Sequence, residues 1–333
     1  MRAITLERPA PIESKPLVLR ELPIPDPGPG EILVHVKTCG VCRTDLHVTE
    51  GDLAPKHDRI VPGHEVVGTV ERLGPESKRF AIGQRVGIAW LRETCGTCAY
   101  CRKGRENLCP NARFTGWDHD GGYAEYATVR EDFAYPIPGT IDDERAAPLM
   151  CAGIIGFRAI KRAGVQPGAT VGLYGFGGSA HLALQVLKHW YCRVYVMSRG
   201  GIHRDLAQEL GADWIGEAAD RPPSPLDAAI LFAPAGELVP PALRALDRGG
   251  ILAVAGIYLT DVPPLAYERE LFYERELRSV TANTREDGEE FLKIAGEIPI
   301  VTSTVGMALD EANRALTMLK HDELRGAAVL HID

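Results

Sequence analysis

The sequence predicts an α/β protein in which a mainly β domain is joined to a domain built around a parallel sheet. The first ~150 residues are rich in strand patterns: "EILVHVKTCG" alternates Ile32, Val34 and Val36, and "HEVVGTVERLG" predicts a second strand between glycines. From about residue 165, short apolar runs alternate with helix-length patterns, which is typical of βαβ units. The parallel-sheet domain is therefore inserted into, or follows, the β-rich one.

The segments of the parallel-sheet domain follow one another in a regular order. "ATVGLYGFGGSAHLALQVLKHW" runs from a short strand through a glycine turn into a helix. "RVYVMSR", "DAAILFA" and "ILAVAGI" predict further strands, "HRDLAQELGA" and "VPPALRALDRGG" predict helices, and "ELRSVTA" predicts the last strand. The tail predicts one more helix, "DEANRALTMLKH", and a final strand, "AAVLHI".

Composition narrows the class of protein. With 333 residues, 45% hydrophobic and 25% charged, the chain has the make-up of a soluble globular protein. The net charge of −8 argues against nucleic acid or an anionic membrane as the main partner. "MRAITLERPA" lacks the apolar core of a signal peptide, and no apolar run is long enough to span a bilayer. We therefore expect a cytoplasmic protein.

Four cysteines crowd into one short stretch with the spacing C-x2-C-x2-C-x7-C: Cys95, Cys98, Cys101 and Cys109. In a reducing compartment such clusters bind metal more often than they form disulfides. The last gap is longer than that of ferredoxin-type iron–sulfur sites. The spacing favours zinc, and four thiolates would leave it no open position, so this zinc would be structural. An iron–sulfur cluster and unligated thiols remain the alternatives.

A second, looser set of metal-binding residues is spread along the chain. Cys42 precedes "PGHEVVG", which contains His64 and Glu65. A cysteine, a histidine and a distant cysteine form the three-ligand set, with one open position, of a catalytic zinc. Taken alone this pattern is weak, because a cysteine and a histidine at such a separation are usually core residues.

These motifs together resemble the zinc-containing medium-chain alcohol dehydrogenases over nearly the whole chain. The resemblance rests on "CGVCRTDLH", "PGHEVVGTVERLG", "GQRVGIAW", the four-cysteine stretch, "GWDHDGGYAEYA", "APLMCAGIIGFRAI" and "GLYGFGGSAH". "HDG" and "CAGI" are most similar to the microbial and yeast-type branch. The family resemblance implies a GroES-like, mainly β catalytic domain at 1–150 with a structural zinc lobe at about 90–112. It also implies a Rossmann doubly wound parallel sheet at 151–283 and a return segment at 284–333 that completes the catalytic domain.

The resemblance also implies a reaction, which is reversible hydride transfer between a zinc-bound alcohol and a nicotinamide cofactor. Carried over by motif, Cys42, His64 and Cys151 would bind the catalytic zinc, so that each chain would hold two zinc ions. Glu65 would be the adjacent acid that can approach the metal during ligand exchange. The substrate would be a small alcohol, aldehyde or ketone.

Three residues of "CRTDLH" receive roles from the same resemblance. Asp45 would accept a hydrogen bond from the zinc-bound His64 and fix its tautomer. Thr44 would hold the substrate hydroxyl, and His47 would complete a proton relay through the nicotinamide ribose. The alternatives are that Thr44 caps a helix, that Asp45 pairs with Arg43, and that His47 is a solvated surface residue.

"GFGGSAH" matches the dinucleotide-binding pattern G-x-G-x-x-G/A, after a strand and before a helix. Gly175 permits the tight turn, Gly177, followed by Gly178, allows the backbone to approach the pyrophosphate, and Ala180 allows close helix packing. The phosphates would face the N-terminus of the helix. A glycine turn without a ligand is the alternative.

The end of the next strand bears on the choice of cofactor. NAD-dependent proteins usually have an acid there, but this chain has Ser198, followed by Arg199 and Arg204. A serine with arginines suits a 2′-phosphate, so the sequence favours NADP(H) over NAD(H). Two positions depart from the family: Ile155 stands where relatives often have threonine, and Arg325 is displaced from the position of a pyrophosphate-binding arginine.

The substrate cleft and the assembly are predicted in outline. Leu53, Trp90 and Trp117 fall where the family lines its cleft, which favours small or flat apolar alcohols. Relatives are commonly tetramers or dimers, so we expect a homo-oligomer. The alternatives are a polyol, cinnamyl-alcohol or amino-alcohol dehydrogenase, a nicotinamide-binding redox sensor, and a zinc-storage or disulfide-switch protein. Cys39 and Cys192 receive no role.

Overall fold

A computed structural model of the chain describes residues 1–332 and divides them into two compact units. The first unit combines residues 1–151 with the chain from Ala282 onward, and the second comprises Ala152–Thr281. The chain therefore leaves the first unit once and later returns to it. Within the described residues, no helix is long and apolar enough to cross a membrane.

The strands of residues 1–332 are numbered in chain order. They are β1 Arg2–Leu6, β2 Leu17–Glu21, β3 Glu31–Val41, β4 Glu65–Leu73, β5 Arg85–Ile88, β6 Leu91–Glu93, β7 Arg113–Phe114, β8 Tyr126–Arg130, β9 Ala134–Pro136, β10 Thr170–Tyr174, β11 Arg193–Met197, β12 Trp214–Gly216, β13 Leu226–Leu231, β14 Leu246–Val254, β15 Glu276–Ser279, β16 Thr304–Ala308 and β17 Ala327–His331.

The α-helices are numbered in the same way, and short 3₁₀ turns lie between several elements. The helices are α1 Arg43–Glu50, α2 Asp143–Ala146, α3 Ala152–Arg162, α4 Gly178–His189, α5 Gly201–Glu209, α6 Val239–Ala245, α7 Tyr267–Glu270, α8 Arg285–Glu297 and α9 Ala312–Lys320.

The first unit is built on a seven-stranded sheet in which β3 is the central strand. The sheet runs β16-β17-β3-β4-β5-β9, and β8 also pairs with β3. One edge of β3 is shared, since its first half pairs with β8 and its second half with β17, while β4 runs along the other edge. Its apolar alternation is confirmed, because Ile32, Val34 and Val36 are all fully buried.

The pairing of β3 with β4 brings distant residues together. The two strands are antiparallel, and Gly40 lies directly opposite Glu65. The last residue of β3 is followed by Cys42, and the first residue of β4 is preceded by His64. Because the end of one antiparallel strand meets the start of its neighbour, Cys42 and His64 become neighbours although α1 and a long loop separate them in sequence.

The second unit contains a six-stranded sheet in the order β12-β11-β10-β13-β14-β15, with all pairs parallel. Numbered within the unit this is the order 3-2-1-4-5-6 of a doubly wound Rossmann sheet, as predicted. Leu173, Val196 and Ile230 on neighbouring strands are fully buried, as expected for a sheet covered on both faces. The strand order reverses between β10 and β13, and ligands of such sheets bind at that point.

The prediction for the tail was wrong in one respect. Besides the predicted helix α9 and strand β17, the tail contains the helix α8 and the strand β16. The start of α8 carries a capping box, in which the Thr284 hydroxyl accepts from the Asp287 backbone and the Asp287 carboxylate accepts from the Thr284 backbone. Phe291 and Leu292 bury one face of this acidic helix.

The first turn of α4 buries a histidine for which no sequence motif predicts a role. His181 is fully buried, and its Nδ1 lies 3.3 Å from the Gly177 carbonyl oxygen. Its Nε2 has no hydrogen-bond partner among the described residues. Burial lowers the pKa of His181 to about 4 from an ordinary value of 6.5. The ring is therefore neutral and packs as an apolar group.

This burial predicts a pH dependence of folding stability. The unfolded chain takes up a proton on His181 as the pH falls through 6.5, whereas the folded chain does so only at about 4. The free energy of unfolding keeps its full value above pH 6.5 and falls by about 3 kcal/mol as the pH decreases from 6.5 to about 4. In urea denaturation, we expect the free energy of unfolding of His181→Leu to fall less between pH 6.5 and 4 than that of the wild type, because the leucine takes up no proton. His203→Leu, at a partly exposed position on α5, is the control and should keep the wild-type slope, and a full wild-type slope in His181→Leu would contradict the prediction.

Candidate active site

Four side chains of the first unit converge on one point. The ligand atoms of Cys42, His64, Glu65 and Cys151 all lie within 4.8 Å of one another. The two sulfur atoms are 3.9 Å apart. His64 is fully buried, and its Nε2 has no hydrogen-bond partner among the described residues. A buried imidazole nitrogen beside two sulfurs is a donor set that zinc prefers, so these residues fit a zinc ion.

Asp45 fixes the orientation of this set. Its Oδ1 lies 2.8 Å from His64 Nδ1, which directs Nε2 of the same ring toward the sulfurs. Its Oδ2 accepts from the Cys42 backbone N–H at 2.9 Å, which also caps the start of α1. The predicted contact with His64 is therefore present. The alternative pairing with Arg43 is not, because Arg43 pairs with Asp322.

Two glycines provide the space that this packing needs. A Cβ on Gly40 would lie 1.9 Å from Glu65 Oε2, so a side chain there would displace the glutamate. Gly63 has φ +97°, and its Cβ would lie 2.4 Å from the ring of Tyr123. Both glycines belong to the motifs "CGVC" and "PGHEVVG".

The two thiols of this cluster differ in acidity. A hydrogen bond from Cys151 lowers the pKa of the Cys42 thiol well below its ordinary value, and the same bond, with burial, raises the pKa of Cys151. Burial, the largest single influence, lowers the pKa of His64, but the charges and hydrogen bonds of Asp45 and Cys42 together outweigh burial and raise the pKa well above its ordinary value. A metal that binds here would displace the protons these side chains carry, because ligation requires thiolates and a neutral imidazole.

Thr44 and His47 lie on α1 beside the cluster. Thr44 Oγ1 is 3.9 Å from Cys42 Sγ. The helix begins at Arg43 with Cys42 as its N-cap, so Thr44 is not the cap. His47 lies one turn later, with 14% of its side chain exposed, and its Nδ1 lies 2.8 Å from Asp52 Oδ2. Thr44 therefore does not cap the helix, and His47 is not a solvated surface residue.

An aromatic wall flanks the same cluster. The rings of Trp90 and His64 meet edge to face with centroids 5.0 Å apart. Trp117 stacks on Trp90 at 6.1 Å, and Phe114 stacks on it at 4.9 Å. Leu53 packs against the core of the unit. Of the tryptophans predicted for the substrate cleft, Trp90 therefore contacts His64 and Trp117 stacks on Trp90. Phe114 is an aromatic that the sequence did not indicate.

The four-cysteine lobe is a separate, closed cluster. Its sulfur–sulfur distances are 3.9 Å for Cys95–Cys101 and 3.5 Å for both Cys98–Cys101 and Cys95–Cys109. Four thiolates at tetrahedral corners of one zinc would be about 3.8 Å apart, given zinc–sulfur bonds of about 2.3 Å. All eight cysteines are free thiols, so no disulfide forms. The spacing fits one ion and leaves it no open side.

Backbone groups support these thiols. N–H groups of Thr97 and Cys98 lower the pKa of Cys95 to about 6, while burial raises that of Cys109 to about 11. The lobe is anchored by the buried Glu106, which accepts from the backbone and the guanidinium of Arg285 at the start of α8. The unpredicted helix α8 therefore holds the lobe in place.

The glycine turn lies at the carboxyl end of β10, where the sheet order reverses. Gly175 has φ +86°, and a Cβ on it would lie 2.9 Å from Ala233. At Gly177 a Cβ would meet nothing within 4 Å, and Gly178 begins α4. Ala180 is fully buried. This arrangement can cradle a pyrophosphate.

The residues predicted to read the ribose follow β11. Ser198 is buried, and its backbone N–H donates to the Gly216 carbonyl at 3.0 Å. Arg199 is exposed and Arg204 is half-buried in the first turn of α5. Arg325 is exposed and belongs to the first unit.

The known proteins that this chain is similar to include alcohol dehydrogenases. Residues 28–139 match the alcohol dehydrogenase GroES-like domain. A probable alcohol dehydrogenase AdhA of Mycobacterium tuberculosis is 54% identical over 100% of this chain and 97% of its own length. A cinnamyl alcohol dehydrogenase from Sorghum bicolor has a TM-score of 0.90 at 28% identity, covering 99% of this chain and 97% of its own.

A further solved structure bears on the metal. A thermostable alcohol dehydrogenase from Pyrobaculum aerophilum with cobalt and zinc bound has a TM-score of 0.88 at 28% identity, and the match covers 99% of each chain. The predicted family and fold class are thereby confirmed. The chain belongs to the zinc-containing, NAD(P)-dependent medium-chain alcohol dehydrogenases.

Proposed function

We propose that the catalytic zinc of this alcohol dehydrogenase is held by Cys42, His64 and Cys151, with Glu65 beside it. The observation that carries this assignment is the buried Nε2 of His64, which has no hydrogen-bond partner among residues 1–332 and lies within 4.8 Å of both sulfurs. Three protein ligands would leave one position open for substrate. Glu65 lies close enough to serve as an alternative ligand during exchange.

When bound, zinc supplies Lewis acidity, which lowers the pKa of an alcohol or polarises a carbonyl in the reverse direction. The residues of the chain do the positioning. Asp45 holds the His64 Nδ1–H, which leaves Nε2 as the nitrogen that would bind the metal. Thr44, beside Cys42, bonds the substrate hydroxyl, and His47 passes the proton toward solvent next to Asp52. A nicotinamide cofactor, when bound, would supply the hydride acceptor or donor.

The aromatic wall supports a flat or small apolar substrate. Trp90, which contacts His64, and Trp117 present parallel rings at an interplanar angle of 11°. A polyol would leave several hydroxyl groups facing these rings without partners, which is costly. A benzylic, cinnamylic or short aliphatic alcohol fits the wall better.

Zinc counting tests the two metal sites. We expect two zinc ions per chain in the wild type and one in Cys42→Ala. With its Lewis acid lost, that variant should fall about a thousandfold in kcat/KM. Cys98→Ala should lose the other zinc and melt at a lower temperature. The matched control is Cys192→Ala, which removes a buried thiol outside both clusters and should keep two zinc ions. Unchanged activity or two zinc ions in Cys42→Ala would overturn the assignment.

We further propose that NADP(H) is preferred over NAD(H). Ser198 stands at the end of β11 with no acid in its place, and Arg199 and Arg204 form no ion pair within the described residues. An arginine that meets a phosphate makes a charge-assisted bond. A 2′-phosphate would therefore find donors and positive charge here, whereas an acid would have repelled it.

Initial rates with the two reduced cofactors test this preference. The wild type should use NADPH with the higher kcat/KM. Arg199→Ala should raise the KM for NADPH about tenfold or more and leave the KM for NADH unchanged, because a charge-assisted bond contributes about 1.5–3 kcal/mol. Arg193→Ala, at the exposed opposite end of β11, is the control. A wild type that prefers NADH would show the proposal to be wrong.

We also propose that the chain forms homo-oligomers through the second unit. Tyr267, Phe272 and Tyr273 form an exposed aromatic cluster, with ring centroids 5.8 Å and 5.1 Å apart along the series. Phe272 is 53% exposed, and the nearby edge strand β15 exposes Leu277. Monomers rarely expose contiguous apolar patches, and an unpaired sheet edge is a site for pairing with another chain.

Sedimentation velocity distinguishes a monomer from an oligomer. We expect the wild type to sediment as a dimer or tetramer and Phe272→Glu to shift toward smaller species, because the charge would be desolvated in the interface. Tyr191→Glu is the matched control, since Tyr191 is an aromatic of the same unit that is 89% exposed and lies apart from the cluster. Equal shifts in both variants, or a monomeric wild type, would contradict the proposal.

A further inference from the structure

The Asp45 carboxylate has a fourth donor that the sequence did not indicate. The Tyr123 hydroxyl donates to Asp45 Oδ2 at 3.3 Å, with both side chains buried. Oδ2 also accepts from the Cys42 N–H, and Oδ1 accepts from the Gly63 N–H at 3.1 Å and from His64. A carboxylate offers about four lone-pair sites. The four donors therefore complete the hydrogen bonding of a buried charge.

The position of the Tyr123 ring is fixed by its surroundings. Its backbone N–H donates to the Pro62 carbonyl at 3.0 Å, and its carbonyl accepts from Ile4 at 2.8 Å. The ring lies where a side chain on Gly63 would be, at 2.4 Å from the ideal Cβ. A phenylalanine would fill the same space, so packing alone does not account for the hydroxyl. What the hydroxyl adds is the bond to Asp45.

We propose that Tyr123 is a positioning residue for the catalytic metal site, an inference that rests on the proposed zinc ligands. Its hydroxyl holds Oδ2 of Asp45 in place. That carboxylate orients two of the three ligands, Cys42 through its backbone and His64 through its ring. Loss of the hydroxyl leaves one carboxylate lone pair without a donor and lets the carboxylate turn, so both ligands lose part of their alignment.

Cobalt affinity provides the test, because its absorption distinguishes the two-thiolate site from the four-thiolate lobe without reference to activity. The full-length protein is titrated with cobalt against a chelator of known affinity. Residues that hydrogen-bond to metal ligands typically contribute about 10- to 100-fold to metal affinity. For Tyr123→Phe we expect about tenfold weaker cobalt binding at the two-thiolate site and no change in cobalt binding at the four-cysteine lobe. Added metal should restore its activity.

The matched control is Tyr135→Phe. Tyr135 is also buried in the first unit, and its hydroxyl accepts from Asn283 Nδ2 at 3.3 Å, away from the cluster. This variant should lose folding stability but keep the wild-type cobalt affinity. An unchanged cobalt affinity in Tyr123→Phe, or the same loss in both variants, would overturn the proposal.

A double-mutant comparison shows whether Tyr123 acts through Asp45. In an Asp45→Asn background, adding Tyr123→Phe should change the cobalt affinity by less than about twofold, because the shared intermediary is already altered. A full additive loss would contradict the proposal. Cys42→Ala separates the two proposals: if it retains the two-thiolate cobalt spectrum, the zinc assignment itself fails, whereas if only Tyr123→Phe lacks an effect, the role of Tyr123 alone fails.

Discussion

The buried carboxylate of Asp45 is the interaction on which the geometry of the active site depends. A charge taken out of water is costly unless hydrogen bonds replace those it had with the solvent. Here the four donors come from three separate segments, at Cys42, at Gly63 with His64, and at Tyr123. The need to satisfy one charge therefore holds three segments together, and two of them carry the proposed metal ligands.

The two sulfur clusters have similar spacing but different construction. The lobe collects four thiols from one short stretch and is closed on every side by sulfur. The other cluster takes Cys42 from the end of β3, His64 from the start of β4 and Cys151 from the turn before α3. Only the second includes a nitrogen, an acid and an adjoining aromatic wall. A dense local motif suits a scaffold, while a site with an open side needs ligands from several elements.

Much of this could be predicted from the sequence, and the limits have identifiable causes. The strands, the glycine turn and the four-cysteine lobe were predictable because their signals are local. The meeting of Cys42 with His64 depends on the register of β3 against β4, which no local pattern determines, so only the family resemblance indicated it. Tyr123 and His181 were missed because nothing near them in sequence marks a buried polar contact. Helix α8 was not predicted although Thr284 and Asp287 form a capping signal, because its many acidic residues obscure the apolar periodicity of the buried face in the sequence.

The place of β17 in the sheet has a consequence for how the protein is made. The second half of β3 pairs with β17, and between them in sequence lies the whole second unit. The nucleotide-binding unit is continuous, so it can fold while the chain is still emerging from the ribosome. The sheet that carries Cys42 cannot acquire this pair until His331 has been translated. The strand that leads to Cys42 therefore keeps one edge partly open until the whole second unit and β17 have been synthesised.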